Sequence, residues 1–189
     1  MPVVAWRDRR RRGCWFDFGV VGVGSVSTGL VVLRGNSGAG KSTVARMLQD
    51  RHLRQLAVVS QDTLRREVLR VSDRQDNPAV DLIDLVARFA LDRGMHVVIE
   101  GILYSDIYGQ MLRSLAADHL GTTRLFRFDI PFDETLRRHN TKGCNDFGEH
   151  ELRQWWRDQD VLLGCEEQTV GPGLNPDAIV DLITTAVRW

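Results

Sequence analysis

Lysine is almost missing from this chain. Of 189 residues only Lys41 and Lys142 are lysines, and the other basic residues are arginines. Basic and acidic side chains balance at 25 each, so no field of one sign draws the protein to nucleic acid or an anionic membrane. Cysteine is scarce too. Cys14, Cys144 and Cys165 are odd in number and never spaced C-x-x-C, which suggests neither a disulfide framework nor a cysteine zinc site. They read as reduced, cytosolic thiols. No apolar run approaches the roughly 18 residues of a membrane span. No internal repeat occurs. The length suits one domain that buries its core without staples.

Against that background the position of Lys41 stands out. Residues 35–42, Gly-Asn-Ser-Gly-Ala-Gly-Lys-Ser, match G-x-x-x-x-G-K-[ST] in full. The apolar run 30–33 before them reads as a buried strand, and Val44, Ala45, Met47 and Leu48 after them have helical spacing. A polyphosphate needs many donors converging on a small volume. Gly35, Gly38 and Gly40 let the backbone curl so that successive N–H groups, through Asn36, Ser37 and Ala39, point inward. The helix that follows adds its positive end. Lys41 reaches the β- and γ-phosphates, Ser42 ligates Mg²⁺, and Thr43 makes a further phosphate contact.

Strand and helix patterns then alternate. Strands are expected at 30–34, 56–60, 95–99, 123–130 and 167–170. Helices are expected at 41–53, 63–71, 78–91, 104–119, 132–139, 149–163 and 176–187, the last capped by Asn175. The stripe Leu82, Leu85, Val86, Phe89 and Ala90 should face the core. So should Leu64, Val68 and Leu69 of the helix before it. This order means α/β architecture, a parallel sheet covered on both faces, with ligands beyond the strands' carboxyl ends. Residues 1–28 read as an extension, either poorly ordered or an added edge strand around 14–23. Within them Gly22-Val-Gly24 fails as a dinucleotide fingerprint because Ser27 replaces the third glycine.

Two carboxylates follow strands on the motif's edge. Asp62 can take the proton of an attacking hydroxyl, or it can cap the helix that begins at Thr63. Glu100 can support Mg²⁺ or the acceptor, or it can hydrogen-bond the phosphate loop. Arg65 and Arg66, one turn after Asp62, suit an anionic or hydroxyl-rich acceptor. Arg137, Arg138 and Lys142 flank the polar segment 141–148, and cations on such a lid can neutralise a transferred phosphoryl group. Trp155 and Trp156 suit packing. Asp146-Phe-Gly148 lacks the H-R-D-L element of protein kinases. Asp118-x-x-Gly121 sits at a helix end, and no N-K-x-D guanine signature exists.

Over residues 29–188 this layout resembles the P-loop kinases of small molecules. It is most similar to the group with chloramphenicol phosphotransferase and the zeta toxins, with gluconate and shikimate kinases further off. The resemblance implies a three-layer fold with a five-stranded parallel sheet, spanning 29–189 with a small lid around 137–153. It implies ATP (or GTP), Mg²⁺ and transfer of the γ-phosphoryl to a hydroxyl of a sugar, nucleoside or antibiotic-like acceptor. Asp62 takes the place of the base, and Arg137 and Arg138 the place of lid arginines. Lys142 stands where a second lid arginine is common. The segments 61–66 and 100–104, the latter ending in Tyr104, resemble uncharacterised kinase-like proteins and place Tyr104 with the acceptor. A nucleotide-sugar kinase and a nucleotide-dependent switch are the rival readings. No nucleic acid or membrane partner is implied, and monomer and homodimer remain open.

Overall fold

The computed structural model describes residues 22–141 and 148–189. Most of the expected N-terminal extension lies outside these residues, as do Lys142 and the middle of the expected lid. Five strands form one parallel sheet: β1 (Gly29–Gly35), β2 (Leu56–Ser60), β3 (His96–Gly101), β4 (Thr122–Phe128) and β5 (Glu167–Val170). Their order is β2-β3-β1-β4-β5, so the phosphate-loop strand is central. Strands buried on both faces need continuous apolar runs. Leu30 to Leu33 and Val97 to Ile99 supply them, each residue buried.

Helices complete three layers. Val31, Leu33, Val98 and Phe126 pack with α1 (Lys41–Arg51) and α6 (Pro176–Val187) on one face. Leu30, Val32, Val97 and Ile99 pack with α2 (Ala79–Asp92) and α3 (Ser105–Asp118) on the other. Each fully buried aliphatic side chain contributes roughly 1.5–3 kcal/mol. The helices α4 (Phe132–Thr141) and α5 (Glu149–Trp155) connect β4 to β5. Asn175 caps α6, accepting the Ala178 N–H at 2.8 Å. No described helix is long and apolar enough to cross a membrane.

Three expectations change. The inward face of α2 is Ile83, Ala87, Ala90 and Leu91, whereas Leu85 and Phe89 are exposed. The helix is apolar around most of its circumference, so two stripes compete and periodicity does not choose between them. Residues 63–71 do not form an α-helix with a buried stripe. Thr63–Val68 is a π-helix with no buried residue, and Val68 is exposed. The helix begun at Glu149 stops at Trp155, not at residue 163, and Gln159 beyond it has φ 49°. Residues 22–28, the described part of the N-terminal segment, pack onto the sheet domain. Val23 is buried and bridges to His119, and the Thr28 hydroxyl lies 3.0 Å from His119 Nε2.

Candidate active site

All five strands run parallel, so their carboxyl ends share one edge, and the candidate groups gather there. The glycine loop leaves β1 with Gly35 at φ 137°, Gly38 at 78° and Gly40 at 101°. A Cβ on Gly35 would come within 2.5 Å of the Phe128 carbonyl, so this close approach to β4 requires glycine. Lys41 opens α1. It is buried, and its ammonium donates to the carbonyls of Gly35 at 2.7 Å and Asn36 at 2.8 Å. Phosphate oxygens arriving in the loop are stronger acceptors for that charge.

Ser42 donates its hydroxyl to Glu100 Oε2 at 2.8 Å. Glu100 is buried on β3, in register with Leu33 on one side and Ser60 on the other. Two hard oxygen donors therefore sit side by side where β- and γ-phosphates would arrive. This pair fits a Mg²⁺ held mainly by phosphate and water. Among the described residues no cluster of three or more His, Cys, Asp or Glu could hold a metal by itself.

Three adjoining cavities meet at the loop. A small chamber of about 70 Å³ is lined by Ser37, Lys41, Ser42, Asp62 and Glu100 among others. On one side it shares Gly38 and Gly40 with a cavity of about 460 Å³. That cavity is lined by Thr43, by Arg137 and Arg138, and by the loop from Pro172 to Pro176. On the other side it shares Ser37, Asp62 and Ile102 with a cavity of about 540 Å³. Arg65, Arg66, Asp73, Tyr104, Trp155 and Arg157 are on its wall.

The expected residues take distinct places. Asp62 borders both the chamber and the larger cavity. Its side chain caps nothing, is 54% exposed, and accepts from Arg65 Nη2 at 3.0 Å. Capping, one of the two readings of this residue, is therefore not what its carboxylate does here. Arg138 lies against the loop, donating to the Ala39 carbonyl at 3.2 Å and to Glu134 at 2.6 Å. Arg137 also binds Glu134, at 2.7 Å, but is mostly exposed. Hydrogen bonds from Arg137 and then Arg138 hold the Glu134 carboxyl down at about 2. Tyr104 donates its hydroxyl to the Trp155 carbonyl at 2.7 Å. Burial pushes that phenol up to about 12. The Arg157 guanidinium stacks 3.9 Å over its ring.

Sequence reasoning missed several groups. The loop 171–176 follows β5 on the ligand edge, and the rule that picked out the other strand ends applies to it equally. Asp73 accepts from Tyr108 at 2.6 Å and from Gln61 Nε2 at 2.8 Å, which fixes one wall of the larger cavity. Arg34, at the end of β1, is fully buried beneath the loop. It binds Asp160 at 2.6 Å and Glu167 at 2.9 Å, and its Nε donates to the Leu103 carbonyl. Nothing in the pattern of an apolar strand announces such a cation.

The AAA domain family model matches residues 30–160. The chain belongs to the AAA domain family. No curated protein matches the sequence. Among solved structures, a gluconokinase from Sinorhizobium meliloti 1021 is 15% identical with a TM-score of 0.60, covering 87% of this chain and 93% of its own. The APS kinase of Mycobacterium tuberculosis, in complex with AMPPNP and APS, is 17% identical with a TM-score of 0.62, covering 89% and 99%. The tunicamycin resistance protein of Deinococcus radiodurans is 17% identical with a TM-score of 0.58, covering 84% and 94%. At these identities the likeness is one of fold, and the fold is that of the P-loop kinases.

Proposed function

We propose that the protein transfers the γ-phosphoryl group of ATP to a hydroxyl of a small molecule. One observation carries this reading. The phosphate chamber opens on both sides into cavities of substrate size, and Asp62 stands at the boundary with one of them. A nucleotide-dependent switch has no use for the second cavity or for a carboxylate at its mouth.

The 460 Å³ cavity suits the nucleoside. Its wall is mostly apolar, with Pro172 and Leu174 on the loop 171–176 and two guanidinium groups from α4. The loop amides and Lys41 hold the β- and γ-phosphates. Ser42 and Glu100 would hold Mg²⁺ beside the phosphates, where it would supply neutralisation of their charge. Asp62 takes the proton from the acceptor hydroxyl as its oxygen bonds to the γ-phosphorus. The bond from that phosphorus to the β-phosphate bridging oxygen breaks, and ADP leaves. Arg138, already against the loop, steadies the charge that develops on the phosphoryl oxygens. The names of the similar structures fit small-molecule phosphotransfer, and the lack of an N-K-x-D signature favours ATP over GTP.

The test is nucleotide turnover with sugars, nucleosides and hydroxylated antibiotics as acceptors. At least one acceptor should yield ADP and a phosphorylated product in equal amounts. Lys41→Ala should abolish that turnover with an unchanged circular dichroism spectrum. Undiminished turnover in the folded variant would refute the assignment.

A further inference from the structure

We infer that the acceptor is an anion: a hydroxyl-bearing compound that also carries a phosphate or carboxylate group, bound by Arg66 and Arg157. This narrows the phosphotransferase reading and rests on it. The 540 Å³ cavity presents three arginines and two carboxylates. Both carboxylates are already engaged. Asp62 accepts from Arg65, and Asp73 accepts from Tyr108 and Gln61. Arg65 is engaged too, through Asp62 and the Val71 carbonyl at 3.2 Å.

Arg66 differs. It lines the same cavity and makes no hydrogen bond or ion pair to any described group. Arg157 has one nitrogen on Asp106 at 2.6 Å and its plane against Tyr104. Its main chain is pinned to the phosphate loop, donating to Asn36 Oδ1 at 3.1 Å and accepting from Asn36 Nδ2 at 2.9 Å. A planar, permanently charged fork fixed in this way recognises a carboxylate or phosphate through paired hydrogen bonds. A neutral acceptor would leave the Arg66 guanidinium on this wall without a partner of opposite charge. With the anion at Arg66 and Arg157, a hydroxyl elsewhere on the acceptor faces Asp62.

Two measurements test this. First, the protein is loaded with Mg²⁺ and a non-hydrolysable ATP analogue, which fills the phosphate loop. It is then titrated with inorganic phosphate and, separately, acetate at constant ionic strength. Trp155 fluorescence is the signal, and a Trp155→Phe variant supplies the background. At least one anion should bind saturably, and the stronger of the two identifies the group. Arg66→Gln should weaken that binding by about tenfold or more, with the affinity for the analogue unchanged. Second, turnover is compared across matched sets of a sugar, its monophosphate and its acid. An anionic member should have the lowest KM. Neither anion binding the loaded protein, Arg66→Gln binding like the wild type, or turnover of the neutral sugar alone would each overturn the inference while leaving phosphotransfer standing. Failure of the analogue to bind would sink the nucleotide reading itself.

Discussion

Replacing Asp62 with Asn separates chemistry from architecture at one position. The exchange keeps size and polarity and removes the negative charge that accepts the hydroxyl proton. If the carboxylate is the base, turnover should fall by about two to four orders of magnitude. Nucleotide affinity should hardly move, because the phosphates meet Lys41 and the loop amides instead. The structure also sets the stability cost. Asp62 caps no helix, so the roughly 1 kcal/mol lost with an N-cap does not arise. What is lost is one exposed pair with Arg65, worth roughly 0.5 kcal/mol or less. In a chain of this length that shifts the melting temperature by about 2 °C or less. Asp62→Ala should therefore be nearly as stable as Asp62→Asn and equally inactive. The assay is single-turnover phosphorylation of the acceptor beside thermal denaturation and nucleotide titration. An Asn variant with wild-type turnover would move the base elsewhere, with Glu100 next in line. A parallel loss of nucleotide affinity would show Asp62 acting on the donor.

Two predictions concern stability. Arg34→Ala leaves the Glu167 and Asp160 carboxylates buried or half-buried without their cation, and should destabilise the fold by about 3–5 kcal/mol in denaturant titration; a loss under about 1 kcal/mol would refute the network's role. Burial lowers the proton affinity of His96, His119 and His52, and His96 Nδ1 must stay unprotonated to accept the Gly29 N–H at 3.0 Å. The unfolded chain then binds protons more readily than the folded one. Stability should be full above about pH 6.5 and decline as pH falls through the lower folded values; a denaturation midpoint flat from pH 8 to 5 would contradict this.

Much of the layout was legible because it rests on local signals. The phosphate loop, the strand Leu56–Ser60, the strand Glu167–Val170 and the Asn175 cap stand where turn chemistry and apolar runs put them. Asp62, Arg65, Arg66 and Tyr104 border one cavity, since all follow strands on one edge, whereas Glu100 lines the small chamber beside it. The π-helix was not legible. It differs from an α-helix by one residue in the offset of its hydrogen bonds, as in the 3.0 Å bond from Leu69 N–H to the Leu64 carbonyl. No side-chain pattern encodes that offset, and here the turn itself carries Arg65 and Arg66 onto the wall of the 540 Å³ cavity.

The most consequential departure is the early end of α5. In a helix running to residue 163, the carbonyls of Trp155, Arg157 and Asp160 would accept bonds from residues four positions on. Because the chain leaves the helix at Trp155, those groups turn to the site instead. The Trp155 carbonyl accepts from Tyr104, the Arg157 backbone grips Asn36 on both sides, and the Asp160 carbonyl accepts from Arg34 at 3.0 Å. The Asp160 side chain also receives Arg34 and the hydroxyl and N–H of Ser105. Residues 155–160 thus fasten the phosphate loop, the end of β1 and the start of α3 to one another. In the phosphotransfer we propose, which depends chiefly on positioning, such a strap would set donor loop and acceptor wall at a fixed separation. Apolar periodicity over 149–163 suggests an uninterrupted helix, because it weighs side chains and is blind to competing uses of the backbone.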